Sequence, residues 1–355
     1  MKICFITGLA QSGAERQTSE LAKILAKRHE VRIVGVIGRG DRIEGQWSEL
    51  EPEIVEFDIG ASSLVSRHIS LTRKLRQLGP DVCIQRSVGD LTGLAATSCR
   101  MINARFIYHS ASNWDSTSQL ILWLTPSPRS LFYYQLGLLL ADAIVAQTRQ
   151  IAEQFELKFR GIKRVEIVPQ VYDAVSVSVP REKEPFVLWL GRFVWYKHPE
   201  LFVELARSLQ HVRFVMGGSG PLLSEIERRG KGVDNLTLLG PVKHDLAEEL
   251  CGKAQVFVNT SEIEGFPNTL LESAARETPY VSLQYDPDEV ICNHEIGLHS
   301  GSFADLKDDV SRLMSDHPLR TQLGRNGRRY VLENHAPRLA SNAYCRILES
   351  LPKMH

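Results

Sequence analysis

Four charged side chains stand at spacings that could support chemistry on a phosphate-linked group. Glu264 and Glu272 lie on either side of Pro267, where a helix is expected to begin because proline suits the first turn. A carboxylate in the loop and another inside the helix can bind two hydroxyl-bearing groups on either side of a bound phosphate. Arg192 and Lys197 share a second strand-to-helix connection, where two fixed cations can meet the negative charge of a departing diphosphate.

Backbone groups around Glu264 favour the same chemistry. The first N–H groups of a helix have no acceptor within the helix, so they can bind an anion. An apolar run from Ala254 to Asn259 precedes the loop and is typical of a buried parallel strand. The stretch therefore has the arrangement expected of a sugar-nucleotide site, with backbone donors at Gly265, Phe266, Asn268 and Thr269.

Both pairs of charged residues match the motifs of a known family. The stretch SEIEGFPNTLLES, which contains Glu264 and Glu272, resembles the Glu-x7-Glu signature of retaining glycosyltransferases of family 4, which have the GT-B fold. The interval from Arg192 to Lys197 is similar to that family's Gly-Arg-Leu-x-x-x-Lys-Gly motif. His198 stands where the family has the last glycine, a modest departure.

Other positions resemble the family less specifically. Gly13 in SGAER matches a loop that faces the donor phosphates and the acceptor, and Gly218 in GGSGP matches a turn beside the nucleotide. His109 ends a predicted strand, where the family has a histidine near the donor sugar. An ordinary turn glycine or a hydrogen-bonded histidine would also fit these positions. Gln170 and Val171 replace the family's Asn and Gly, which leaves that turn and its donor contact open.

The resemblance implies a retaining, hexosyltransferase-like enzyme that moves a sugar from a nucleotide diphosphate donor to a glycan or lipid-linked acceptor. It implies no cofactor and no required metal. It assigns Arg192 and Lys197 to the diphosphate, Glu264 to the donor sugar and Glu272 to the ribose. His109 would lie beside the sugar ring. Two alternatives stay open: a sugar-nucleotide epimerase of the same fold, and a binding module that holds a nucleotide sugar without turnover.

The elements that must position these residues alternate between strand and helix in two successive runs. The first run covers residues 1–173 and the second covers 186–335, with a Ser- and Pro-containing linker at 174–185. The expected fold is α/β of the GT-B type, with two Rossmann-like, doubly wound domains facing a cleft. Residues 336–355 are expected to form a helix that, as in the family, returns to the first domain.

Composition narrows the class of protein. With 355 residues, 43% hydrophobic and 24% charged, the chain is long enough for two soluble domains with separate cores. A formal net charge of zero gives no support for nucleic-acid binding through bulk charge. Six scattered cysteines favour reduced thiols, and the chain opens on a strand pattern without a signal peptide. Both features predict a cytoplasmic protein.

Two further patterns could carry function. The apolar tract from Leu120 to Leu140 is interpreted either as a packed core segment or as a membrane-facing edge near basic residues at 73–76. The second interpretation would place the protein peripherally at the inner membrane face. Asp286-Pro287-Asp288 formally matches a metal-binding Asp-x-Asp, but an acidic helix start explains it better. His294 and His299 are one residue too far apart for a His-Glu-x-x-His zinc motif.

Overall fold

The computed structural model describes residues 1–9, 13–38, 53–57, 63–86, 88–116, 127–159, 161, 165–180 and 184–351. These residues form two compact units. Unit 1 comprises Met1–Val171 together with Pro337–His355, and unit 2 comprises Tyr172–Ala336. Each unit contains one parallel β-sheet with helices packed on its faces.

The strands and helices follow one another along the chain in largely alternating order. The strands are β1 (Lys2–Gly8), β2 (Glu30–Gly38), β3 (Glu53–Phe57), β4 (Val82–Arg86), β5 (Arg105–His109), β6 (Ala143–Ala146), β7 (Val165–Ile167), β8 (Glu184–Arg192), β9 (Arg213–Ser219), β10 (Leu236–Leu238), β11 (Ala254–Asn259), β12 (Tyr280–Ser282) and β13 (Gly297–His299). The helices are α1 (Gly13–Ala26), α2 (Leu64–Leu78), α3 (Asp90–Met101), α4 (Pro128–Leu140), α5 (Arg149–Lys158), α6 (Pro199–Ser208), α7 (Leu223–Gly230), α8 (His244–Lys253), α9 (Asn268–Ala274), α10 (Val290–Asn293), α11 (Phe303–Ser315), α12 (His317–Asn334) and α13 (Pro337–Ser350).

The seven strands of unit 1 are ordered β3-β2-β1-β4-β5-β6-β7, so the direction of winding reverses between β1 and β4. Both faces of the sheet are covered, which is why its central strands are almost wholly apolar. Helices α2 to α5 pack on one face, while α1 and α13 pack on the other. The C-terminal helix α13 therefore contributes to the core of unit 1, through Tyr344, Ile347 and Leu348.

The six strands of unit 2 are ordered β10-β9-β8-β11-β12-β13. Its winding reverses between β8 and β11, which are direct neighbours in the sheet. In open parallel sheets ligands bind beyond the carboxyl ends of the strands at such a reversal. The loops that follow β8 and β11 are therefore the place in unit 2 where a ligand site is expected.

The division between the units falls after Val171, before the Ser- and Pro-containing linker that composition had suggested. Tyr172 and Ala174 are buried in the core of unit 2, so the chain has already joined that unit there. On the other side of the division, the side-chain amide of Gln17 in α1 makes two hydrogen bonds with the backbone of Val171. It accepts one from the N–H at 3.0 Å and donates one to the carbonyl at 3.2 Å. Gln170 donates to the side chain of Gln147 at 3.0 Å. These contacts form the turn without the Asn and Gly of the related family.

The apolar tract at 120–140 lies partly outside the described residues, since 120–126 are not among them. From residue 128 it forms α4, whose Tyr134 and Leu138 are buried while Phe132 and Leu139 are exposed. A Cβ at Gly93 of α3 would lie 2.3 Å from the Tyr133 carbonyl, so α3 and α4 cross in close contact. In the described part of the chain, no helix is both long and apolar enough to cross a membrane.

Candidate active site

Hydrogen bonds join the loop after β8 to the loop after β11. The indole N–H of Trp189 donates to the Thr260 hydroxyl at 2.9 Å, and that hydroxyl donates to the backbone carbonyl of Lys197 at 2.6 Å. The backbone N–H of Glu262 donates to the carbonyl of Tyr196 at 2.9 Å. All three bonds link segments that are distant in sequence. They fix the backbone of Lys197 relative to the loop after β11, which contains Glu262 and Glu264.

Lys197 and Glu264 form an ion pair within this joined region. The hydroxyl of Ser261 donates to the same carboxylate oxygen, Oε1, at 2.7 Å. The two charged side chains are only 18% and 15% exposed, so water and salt screen their interaction less than on an open surface. The structure thus brings together one predicted cation and one predicted carboxylate in a fixed orientation.

Arg192 is the last residue of β8 and is exposed. Its backbone lies in register with Ser219 at the end of β9. Among the described residues, no carboxylate forms an ion pair with its guanidinium. Arg192 and the loop that contains Lys197 lie at the same edge of the sheet, at the carboxyl end of β8.

Two glycines at the end of β9, Gly218 within the strand and Gly220 just after it, permit a close approach of the neighbouring backbone. Gly218 has a φ of +148°, and a Cβ there would lie 1.8 Å from the carbonyl oxygen of Gly191. Gly220 has a φ of +152°, and its Cβ would lie 2.5 Å from the Phe193 carbonyl. Only glycine fits these positions without displacing backbone. The glycine turn predicted from sequence thus supports the strand end that carries Arg192.

His198 adopts left-handed backbone geometry, with φ of 44° and ψ of 52°. Glycine adopts this conformation readily, which accounts for the glycine that the related motif has here. The imidazole lies 3.1 Å from a carboxylate oxygen of Glu200 and 3.4 Å from one of Glu262. Residue 198 thus adds a further contact between the two loops, in place of the missing glycine.

The other predicted donor-binding residues of unit 2 surround the start of α9. The carbonyl of Gly265 accepts a hydrogen bond from the Tyr285 hydroxyl at 2.6 Å. The ring of Phe266 is buried and lies 4.7 Å from the His335 ring, between centroids. Asn268 is the first residue of α9. The hydroxyl of Thr269 lies 3.4 Å from the hydroxyl of Tyr280. The helix therefore begins one residue after Pro267, close to the predicted start.

Glu272 lies inside α9 and is 4% exposed. Its backbone carbonyl accepts a hydrogen bond from the Arg276 guanidinium at 3.1 Å. Glu264, by contrast, lies in the preceding loop, as the sequence indicates. The two carboxylates of the Glu-x7-Glu pattern thus differ in setting, one held by a cation and a hydroxyl, the other buried within a helix.

Two predicted site residues, Gly13 and His109, belong to unit 1. Gly13 is exposed and is the first residue of α1, while residues 10–12 of its loop lie outside the described residues. His109 ends β5, is 5% exposed, and its Nδ1 lies 2.6 Å from the Tyr344 hydroxyl. Burial, and secondarily the charge of Arg86, hold the pKa of His109 well below its usual value. The imidazole is therefore neutral at physiological pH.

Asp115, in the segment after β5, is engaged with its own loop. Its carboxylate accepts hydrogen bonds from the Ala111 N–H at 2.5 Å, the Ser112 hydroxyl at 2.8 Å and the Tyr108 hydroxyl at 2.9 Å. The Tyr134 hydroxyl donates to its backbone carbonyl at 2.6 Å. Burial raises the pKa of Asp115 even though these bonds oppose the shift. This residue stabilises the segment after β5.

The acidic turn at 286–288 contains a helix cap. The two carboxylate oxygens of Asp286 accept the backbone N–H groups of Ile291 and Cys292, at 2.8 and 3.1 Å. One potential metal-ligand atom from each of Asp286, Cys292 and His299 lies within 4.8 Å of the others, and two of these residues are exposed. Capping of α10 accounts for the acidic residue at position 286.

Three residues that matter for this geometry were not predicted as site residues. Trp189 belongs to an apolar strand pattern and Thr260 directly follows another, and these patterns give no sign of the hydrogen bond between the two side chains. Tyr344 lies on a C-terminal helix with no motif of its own. Their partners are distant in sequence, so only the folded chain reveals them.

Both halves of the chain match families of glycosyltransferases. Residues 174–330 match the family described as glycosyl transferases group 1. Residues 12–170 match the family described as glycosyl transferase 4-like domain. The matched segments meet close to the division between unit 1 and unit 2. They do not overlap, and together they cover most of the chain.

Curated relatives and solved structures agree with these matches. A Campylobacter jejuni protein, GalNAc-alpha-(1->4)-GalNAc-alpha-(1->3)-diNAcBac-PP-undecaprenol alpha-1,4-N-acetyl-D-galactosaminyltransferase, is 28% identical over 349 residues, which is 92% of this chain and 93% of that enzyme. The structure of Anabaena HepE in complex with UDP and glucose matches with a TM-score of 0.79 at 13% identity, covering 99% of this chain and 100% of HepE. Sucrose-phosphate synthase from Thermosynechococcus elongatus matches with a TM-score of 0.80 at 16% identity, covering 99% of each chain.

The two doubly wound units are those of a GT-B protein, as the sequence predicts. The chain thus carries two glycosyltransferase domains, one that matches the group 1 family in unit 2 and one that matches the 4-like family in unit 1.

Proposed function

We propose that this glycosyltransferase transfers a hexose-type sugar from a nucleotide diphosphate donor to a glycan or lipid-linked acceptor, with retention at the anomeric carbon. The observation that carries the proposal is the ion pair between Lys197 and Glu264, on the loops that follow β8 and β11, together with the exposed Arg192 at the end of β8. Cleavage of a glycosyl–phosphate bond leaves negative charge on the departing diphosphate. Cations that meet this growing charge accelerate the step, because they stabilise the transition state more than the ground state.

In this proposal each charged group has one role. Arg192 and Lys197 bind the diphosphate, and they supply the positive charge for which other sugar transferases use a metal ion. Glu264, oriented by Ser261 and Lys197, accepts hydrogen bonds from hydroxyls of the donor sugar. Glu272, buried in α9, binds the ribose. Retention is supported by the similarity of this Glu-x7-Glu stretch to that of retaining enzymes.

The remaining predicted residues complete the donor site in this proposal. Gly218, at the end of β9, is assigned to the turn beside the nucleotide. His109 is assigned to the sugar ring as a neutral imidazole, and Gly13, the first residue of α1, is assigned to the donor phosphates. The start of α9 supplies backbone donors through Gly265, Phe266, Asn268 and Thr269.

A lipid-linked acceptor is favoured over a free glycan by two observations. The name of the Campylobacter jejuni relative describes an acceptor attached to undecaprenol through a diphosphate. In unit 1, helices α2, α3 and α4 also expose large apolar side chains, namely Val65, Ile69, Met101, Phe132 and Leu139. Basic residues Arg73 and Arg76 of α2 are exposed as well. Such a surface would suit peripheral contact with the anionic inner face of a membrane.

The experiment that tests the proposal supplies the purified protein with a panel of nucleotide diphosphate sugars, with and without a synthetic polyprenyl-diphosphate glycan. Release of nucleoside diphosphate together with a lengthened glycan supports transfer. Proton NMR of the product then reads the anomeric configuration, and an inverted product would contradict retention. Addition of a chelator should leave the rate unchanged.

The same assay separates the two alternatives. An altered sugar on an intact or released nucleotide, formed without acceptor, would indicate epimerisation. Donor binding by thermal shift with no product under any condition would indicate a binding module. Transfer that requires an acceptor excludes both.

A further inference from the structure

His109 and Tyr344 form a buried pair on one face of the sheet of unit 1. The hydroxyl of Tyr344 lies 2.6 Å from Nδ1 of His109, and the two residues are 0% and 5% exposed. Tyr344 belongs to α13, which packs on the sheet together with α1. The contact therefore links a candidate donor-site residue to the last helix of the chain.

The hydrogen bonds open to Tyr344 and His109 decide which nitrogen of His109 carries its proton. If Nδ1–H donated to the tyrosine oxygen, the buried hydroxyl hydrogen of Tyr344 would need a second acceptor, and the described residues provide none. If the hydroxyl donates to Nδ1, both atoms are satisfied by one bond. Burial makes an unmade hydrogen bond costly, so the second arrangement is favoured. His109 then carries its proton on Nε2.

The charge beside the pair favours the same arrangement. Arg86, at the end of β4, is in register with His109 and is 4% exposed. Burial, and secondarily the positive charge of Arg86, lower the pKa of His109, so the imidazole is neutral. Burial raises the pKa of Tyr344, and Arg86 only partly opposes this shift, so the hydroxyl keeps its proton. A protonated hydroxyl can donate to the unprotonated nitrogen of a neutral imidazole.

The geometry points to Tyr344 as a positioning residue that holds His109 in a single tautomer, with Nδ1 accepting and Nε2–H left as a hydrogen-bond donor. Nε2 is buried and has no hydrogen-bond partner among the described residues. The group that it would bind is an oxygen with a free lone pair, such as a sugar hydroxyl or the carbonyl of an N-acetyl group. This inference rests on the proposed role of His109 beside the donor sugar.

Nitrogen NMR of protein labelled with ¹⁵N-histidine tests the tautomer without any substrate. The resonance of His109 is identified by its loss in His109→Gln. In the wild-type protein we expect Nδ1 to be unprotonated and Nε2 to be protonated. In Tyr344→Phe the bond to Nδ1 is lost, so we expect the two tautomers to mix. A wild-type spectrum with a proton on Nδ1 would overturn the inference, as would an unchanged tautomer in Tyr344→Phe.

Tyr134→Phe is the matched control, because Tyr134 is also a fully buried tyrosine of unit 1 whose hydroxyl donates a hydrogen bond. Tyr134→Phe should lose a free energy of unfolding similar to that lost by Tyr344→Phe, but it should leave the His109 tautomer unchanged. With a nucleotide sugar and acceptor, Tyr344→Phe should lower kcat about tenfold or more while Tyr134→Phe does not. A changed tautomer with unchanged kcat would overturn the positioning role. Wild-type turnover in His109→Gln would instead contradict the proposed donor site.

Discussion

The Lys197 ammonium group is paired with the Glu264 carboxylate, although the two residues are 67 positions apart in the chain. Each follows a different strand, and the sheet order makes β8 and β11 neighbours at the point where the winding reverses. A diphosphate that enters this region would compete with Glu264 for the lysine. In the proposed function, the pair holds Lys197 in place until the donor binds.

Substitution of Glu264 should separate binding of the diphosphate from turnover. In Glu264→Gln the competing charge is removed, so nucleoside diphosphate alone should bind at least as tightly as to the wild-type protein. Transfer should fall about 100-fold, because the oriented carboxylate that we propose binds the sugar is lost. Calorimetric titration and a transfer assay measure the two effects. Glu262→Gln, in the same loop but exposed, is the control, and equal losses in both variants would contradict the assigned role.

Substitution of Thr260 should disturb the support of Lys197 without touching a charged group. Thr260→Val keeps the shape but leaves the Trp189 indole N–H and the Lys197 carbonyl without their shared partner. We expect a loss of about 1–3 kcal/mol in the free energy of unfolding, together with reduced turnover. Chemical denaturation of the variant measures the first effect. Thr260→Ser retains the hydroxyl and should recover most of both properties; failure of this rescue would argue against the hydrogen-bonded support.

Substitution of Gly218 tests the close approach of backbone at the end of β9. Gly218→Ala would place a Cβ 1.8 Å from the Gly191 carbonyl oxygen, so the end of β8 would have to move. We expect the free energy of unfolding to fall by about 3 kcal/mol or more, because of backbone strain at this φ and the overlap of the Cβ with the Gly191 carbonyl oxygen. Gly232→Ala is the control, since its φ is +75° but nothing lies within 4 Å. Thermal unfolding compares the two, and similar melting temperatures would contradict the contact.

The lowered pKa of His109 predicts a specific dependence of stability on pH. Because the folded state resists protonation of His109, the unfolded chain binds that proton first as the pH falls below about 6.5. The free energy of unfolding should therefore decrease from about pH 7 to about pH 5, by at most about 1.4 kcal/mol per pH unit from this residue. Urea denaturation across this range should show a weaker decrease in His109→Gln. The exposed His211→Gln should behave like the wild type, and identical slopes in all three proteins would contradict burial of a neutral His109.

The sequence was informative where one residue type is required by local backbone or by charge. The strand Ala254–Asn259 and the start of the helix near Pro267 agree with the structure, because a buried parallel strand is continuously apolar and proline suits a helix start. Gly218 was recognised as part of a glycine turn, because glycine is the residue that local backbone of this kind requires. Its role in making room for the Gly191 carbonyl required coordinates.

The sequence was uninformative where function depends on pairing between distant segments. The strand Glu53–Phe57 was not predicted, since its two glutamates interrupt the apolar signal of a buried strand. The short strand Gly297–His299 was missed as well. The bond from Tyr344 to His109 joins two segments that no local pattern connects. The division after Val171 depends on burial of Tyr172, which composition cannot show.

The most direct test of the central claim compares Lys197→Ala with Lys253→Ala in sugar transfer from the nucleotide diphosphate donor. Lys253 is a lysine of the same unit that pairs with Glu249 at 2.7 Å and is 43% exposed, so it controls for loss of a surface charge. We predict that Lys197→Ala lowers kcat by about 100-fold or more with the fold intact by circular dichroism, while Lys253→Ala matches the wild type. Wild-type turnover in a folded Lys197→Ala protein would contradict the account.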